Sequence, residues 1–115
     1  MEVFLVSYNT VIEFDSSEVP VVFEIDLGGT IFLMGINHNF EFNFLTVDLY
    51  DVEGLPVVLG EKLVLDKPLF EDLIDERLPG PTIIPSDLAK NEESITIDNI
   101  GKTVFLYLDD GGDDE

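Results

Sequence analysis

The chain has 115 residues, with 25 acidic against 5 basic side chains, a formal net charge of −20 and no cysteine. That length suits one domain with a modest core, and the lack of cysteine excludes disulfides and thiolate metal sites. The charge excludes the Lys/Arg clusters that binding to nucleic-acid phosphates or anionic lipid requires.

The first 61 residues hold 11 acids and no base; Lys62, Lys67, Arg77, Lys90 and Lys102 all follow. Hydrophobic residues nevertheless make up 45% of the chain and its mean hydropathy is +0.23. Such a chain can bury enough apolar surface to fold despite its charge. The excess of β-branched and aromatic residues also leaves apolar surface for partners, self-association included. No stretch approaches the ~18 uninterrupted apolar residues of a membrane helix. The start "MEVFLVSYN" lacks a positive n-region, so no signal peptide is expected.

Short apolar or alternating runs broken by turn signals every 8–12 residues or so indicate an all-β fold. "EVFLVSY" and "TVIEF" are the first strand candidates, and "DSSE" breaks them. In "VPVVFEIDL", Phe23, Ile25 and Leu27 share one face and Glu24 and Asp26 the other, with Pro20 at the strand start. Gly28-Gly29 predicts a two-residue hairpin. "TIFLMGI" follows, and "NHN" is expected to turn.

"FEFNFLTVDLY" predicts a strand with Phe40, Phe42 and Phe44 on one side, then Leu45, Val47 and Leu49 on the other. The change of face between Phe44 and Leu45 implies a bulge or a sheet covered on both sides. "DVEG" is a turn and "LPVVLGEKLVL" a strand that "DKP" ends. Residues 69–78, "LFEDLIDERL", carry Leu69, Phe70, Leu73, Ile74 and Leu78 at near-helical spacing. Asp66 could cap this short helix, Pro68 suits its first turn and Pro79 stops it. Thr82 to Ile84 form an extended piece, "LAKNEES" a loop, and "ITI" and "KTVFLYL" the last strands, bridged by "DNIG". The fold class is therefore a small antiparallel β-barrel or sandwich with one short helix. Its single domain spans residues 1–108, and the acidic tail 109–115 is expected to be disordered.

Candidate sites are few. His38 is the one histidine, and no serine lies in a nucleophile elbow, so a turn residue is the simpler reading than a catalytic triad. Asp48, Asp51 and Glu53 could offer oxygens to Ca²⁺, but their spacing does not fit an EF-hand loop. They read instead as a hairpin turn, with Asp51 accepting backbone N–H groups and Gly54 supplying a positive φ. Carboxylates are abundant, but abundance is not the paired geometry of a glycosidase. No enzyme, cofactor or metal is expected. The competing reading is a small acidic β-module that binds carbohydrate or protein, with or without Ca²⁺.

Residues 46–65, "TVDLYDVEGLPVVLGEKLVL", resemble the small plug proteins of the tail baseplates of contractile-tailed phages. Asp48, Leu49, Tyr50 and Asp51 match an aromatic-rich strand end. Gly54, Pro56 and Gly60 match the turn punctuation that follows. "LPGPTIIPSD" is similar through Pro79, Gly80 and Asp87, and "IGKTVFLYL" through Gly101, Val104, Leu106 and Tyr107. The family's usual tryptophans are absent here, and "INHNF" and "LTVDLY" stand in their places. The resemblance implies a structural virion protein on the baseplate axis that helps close the lumen near the tail-tube end. Its implied partners are hub and tail-tube proteins and further copies in a threefold or sixfold ring, with no membrane and no specific nucleic acid. Asp51, Gly54, Pro56, Gly60 and Gly101 are the residues expected to shape the fold. An acidic lumen-facing side would repel DNA phosphates.

Overall fold

The computed structural model describes residues 10–109. The expected first strand, "EVFLVSY", and the acidic residues 110–115 lie outside them. Among the described residues seven strands run in chain order: β1 (Thr10–Ile12), β2 (Val21–Leu27), β3 (Thr30–Asn39), β4 (Phe44–Asp51), β5 (Pro56–Lys62), β6 (Thr82–Ser86) and β7 (Phe105–Asp109). They form two antiparallel sheets, β2-β3-β4-β5 and β1-β7-β6, which share one core. The result is an open sandwich, not a closed barrel.

The larger sheet follows from two hairpins with explicit turn chemistry. Leu27 pairs with Thr30, and Gly28 and Gly29 between them have φ of 68° and 96°. A two-residue loop with both φ positive matches the twist of its strands. Gly28 carries a second constraint, since a Cβ there would stand 2.7 Å from Pro81 Cδ, whereas Gly29 faces open space. Gly28→Ala should therefore destabilise the fold clearly more than Gly29→Ala. Equal chemical-denaturation midpoints for the two variants would refute the contact.

The β4–β5 hairpin closes on Asp51. Its Oδ1 accepts from the N–H groups of Glu53 and Leu55, both at 2.9 Å, and Gly54 has φ 88°. Further along, the β4–β5 register slips between Val47 and Leu49 and again between Leu49 and Tyr50. Gly60, with φ 76°, lies in the first slip, and its N–H donates to Asp48 Oδ1 at 2.7 Å. The second slip, where Val57 is the extra residue, lets consecutive Val57 and Val58 both pack against the core.

Inner-face rows follow from the register: Phe23–Met34–Leu49–Val58 and Val21–Ile36–Val47–Glu61. Met34, Ile36, Val47 and Leu49 are completely buried. From the smaller sheet, Ile12, Ile83, Pro85 and Leu106 face them and are also buried.

Several elements depart from the sequence reading. "NHN" does not turn, because β3 continues through Asn37, His38 and Asn39. The turn lies at residues 40–43, inside the run that alternation marked as a strand. Asn39 Oδ1 accepts from the N–H of Phe42 at 3.0 Å, and Asn43 takes φ 54°, a conformation asparagine tolerates. Phe40 and Phe42 therefore stand at the tip, 81% and 70% exposed. A turn, not a bulge or a doubly covered sheet, explains the change of face at Leu45.

The expected helix at 69–78 is absent. Those residues form turns and irregular chain, and the one helical turn among the described residues is a 3-10 turn at Ser16–Glu18, capped by Asp15. The segment is used as a strap instead. Asp66 N–H donates to Pro85 O at 2.7 Å and Leu69 N–H to Ile83 O at 2.8 Å, which covers the β6 edge. Phe70, at φ 65°, donates its N–H to Glu61 Oε2 at 2.8 Å, which ties the strap to β5. An isolated helix of ten residues is marginal, and these tertiary bonds take its place. "ITI" is likewise not a strand. Thr96 N–H donates to Asn99 Oδ1 at 2.9 Å and the chain turns, while Ile95 is buried.

Candidate functional site

The strap closes the sandwich on the β5–β6 side. The surface with the most distinctive chemistry is the outer face of the four-stranded sheet. Side chains alternate along each strand, so the register that turns Phe23, Met34 and Leu49 toward the core turns their neighbours outward. One outer row is Glu24–Leu33–Tyr50–Pro56, and beside it lie Asp26–Ile31 and Val22–Gly35–Asp48. Val22, Glu24 and Asp26 are exposed, and Leu33, Asp48 and Tyr50 half-buried.

Asp48 is fixed on both oxygens. Oδ1 accepts from the Gly60 N–H, and Oδ2 accepts from Asn37 Nδ2 at 2.9 Å. It serves as the clamp of the β5 bulge. Asp26 Oδ1 accepts from the Gly29 N–H at 2.8 Å. Glu24 stands exposed beside Leu33. The only base in these four strands is Lys62, whose Nζ lies 4.8 Å over the Phe44 ring. Two other bases pair within the strap: Lys67 with Asp72 at 3.0 Å and Arg77 with Asp75 at 2.8 Å. The Arg77 guanidinium and backbone N–H hold the Asp75 carboxyl down at about 2.

The residues singled out in the sequence do not converge on one site. Asp51 and Gly54 share the β4–β5 turn, Pro56 opens β5, and Gly60 sits in its bulge at the other end of that strand. Gly101, at φ 82°, belongs to a separate turn before β7. In that turn its N–H donates to Val104 O at 2.7 Å, and the Asn99 carbonyl accepts from Lys102, Thr103 and Val104. His38 Nε2 meets Asn43 Oδ1 at 2.8 Å, and its ring lies edge-on to Phe40. This is a turn brace without a nucleophile. Among the described residues no three His, Asp or Glu side chains stand close enough to hold a metal ion. No helix among them is long and apolar enough to cross a membrane.

Asp87, from the "IPSD" match, has a structural part. It is buried, and its carboxylate accepts from the N–H groups of Asn91, Glu92 and Ala89 at 2.7, 2.9 and 3.0 Å. These bonds, led by Asn91, hold its pKa below 3.8. A lowered folded pKa stabilises the fold above the unfolded value, and that stability is lost as pH falls through the folded one. An Asp87→Asn variant should thus melt lower than wild type at pH 7, with the gap narrowing as pH drops below 3.8. A gap unchanged across pH 2 to 7, roughly spanning the carboxylate range, would show that the charge is not the cause.

The family marks of the sequence thus fall on the β4–β5 hairpin, on β6 and the residues flanking it, and on β7 with the turn before it. The family model described as cyanophage baseplate Pam3 plug gp18 matches residues 10–111. The chain belongs to this phage baseplate plug family. No curated protein and no solved structure matches it. The match to the plug family runs from β1 through β7, so it includes both sheets, the strap and the turn before β7.

Periodicity missed two surface features. The exposed tip at Phe40 and Phe42 was hidden by alternation, although Asn39 and Asn43 carried the turn signal. This tip borders a groove of about 540 Å³ lined by Phe42, Phe44, Leu63, Val64 and Ile95 among others. The clamp role of Asp48 has no sequence signal, since Asn37 and Gly60 are 11 and 12 residues away.

Proposed function

We propose that this protein is a non-enzymatic structural component of a phage tail baseplate, seated on the axis near the tail-tube end, where it helps close the lumen. The observation that carries this reading is the match of the baseplate plug family across residues 10–111. Its mechanism is assembly and steric closure. A small sandwich with a rigid core and apolar surface to spare suits packing into a symmetric assembly. Hub and tail-tube proteins are the partners proposed, with further copies arranged about the threefold or sixfold axis.

The test is electron cryo-microscopy of tails from particles with and without this chain. Density fitting the sandwich should lie on the axis at the tube end in the first and be missing in the second. Purified tails that contain none of the chain, or that hold it only at the periphery, would overturn the reading.

A further inference from the structure

We infer that the outer face of the β2-β3-β4-β5 sheet docks onto a basic surface of another baseplate protein. The inference rests on the baseplate reading above and adds to it the face used and the chemistry of the partner.

Three observations meet on this face. The first is its apolar content. The open face of an antiparallel sheet is ordinarily polar. Here Val22 and Ile31 are 62% and 37% exposed, and Leu33 and Tyr50 lie half-buried between them and the acids. The second is the sign of its charge. Glu24, Asp26 and Asp48 alternate with those apolar side chains, and the nearest base of the sheet, Lys62, lies at the corner over Phe44.

The third is rigidity. Asp48 is held by Asn37 and Gly60, Asp26 by Gly29, and Val22 lies across Gly35, with Val22 Cγ2 placed 3.5 Å from where a Cβ would be. A face already ordered loses little entropy on binding.

Charge selects the occupant. A second copy would bring the same acids against these, and a like-charge contact costs affinity. Nucleic acid is repelled for the same reason. A protein surface with Lys or Arg set around small apolar side chains meets both features. Its cations reach Glu24 and Asp26 while its apolar groups cover Val22, Ile31 and Leu33. An acidic face turned toward the lumen would need no exposed valine or isoleucine.

The experiment measures binding of this protein to the purified hub protein and the purified tail-tube protein of the same particle. Four forms are compared: wild type, Glu24→Lys, the double variant V22S/I31S, and Glu71→Lys as a charge-matched change on the strap. The three variants alter exposed side chains, and melting curves confirm folding; Asp26 is left alone because it holds the hairpin. Wild type should bind one of the two proteins, more weakly as salt rises. Glu24→Lys and V22S/I31S should each lose roughly tenfold in affinity, and Glu71→Lys should stay within about twofold. Wild-type binding to neither protein overturns the baseplate reading and this inference with it. Binding that Glu24→Lys and V22S/I31S leave intact overturns only the inference, as does self-association of wild type that those variants abolish.

Discussion

Replacing Leu49 with alanine is expected to cost about 2–5 kcal/mol, whereas replacing Phe42 with alanine should leave stability within about 0.5 kcal/mol of wild type. Leu49 is fully buried in the row Phe23–Met34–Leu49–Val58, at the centre of the larger sheet. Truncation removes its methyl groups from a packed core and leaves a cavity, and both effects add. Phe42 is the larger side chain but is 70% exposed at the β3–β4 tip, so it has little burial to lose. Urea unfolding of the two variants reads the difference directly. A loss at Phe42 comparable to that at Leu49 would mean that the tip is folded into the core. Unbroken strand alternation through Phe40, Phe42 and Phe44 would have required that arrangement.

The second large effect lies in the strap. Phe70→Ala should destabilise by about 3–5 kcal/mol, and Ile74→Ala by less than about 0.5 kcal/mol. Phe70 is buried in the shared core, and Ile74 is fully solvated. On a helix, residues four apart stack on one face, so both would be buried and both costly. The observed chain instead takes a left-handed step at Phe70, donates that N–H to Glu61, and turns outward before Ile74. Alanine also suits φ 65° no better than phenylalanine, so the cost is that of the lost ring and not of relieved strain. Similar losses at both positions would restore the helix.

The two pairs show how far local pattern reaches. The hairpins were legible because their turn chemistry is local. Gly28-Gly29 supplies two positive φ angles, and Asp51 caps a turn that Gly54 completes within four residues. The faces of β2 were legible for the same reason, since Phe23, Ile25 and Leu27 alternate with acids that stay in water. The strap was not legible. Its apolar residues have helical spacing, but the groups that hold them are distant: Asp66 meets Ser86 at 2.7 Å across 20 positions, and Leu69 reaches Ile83. The β3–β4 turn failed for a different reason. Its signals, Asn39 and Asn43, were present, but three phenylalanines at a period of two outweighed them.

The candidate surface was legible only in part. Its acidity is visible in a first half without a single base. That Glu24 and Asp26 share a face with Leu33, Tyr50 and Asp48 depends on the pairing of three strands. Buried Asp87 is similar: in the sequence it stood out only within the family match, and in the structure it anchors the loop through residue 92.

The sequence by itself determined the all-β class, the two glycine-bearing hairpins, the negative charge and the family. Each rests on composition or on spacing within a few residues, where side-chain alternation and turn geometry are set by the backbone alone. Only the tertiary structure decided which phenylalanines are core and which are surface, that a helix-patterned segment is a strap, and which acids meet which apolar neighbours. Those outcomes depend on burial and on hydrogen-bond partners that lie in different elements of the chain.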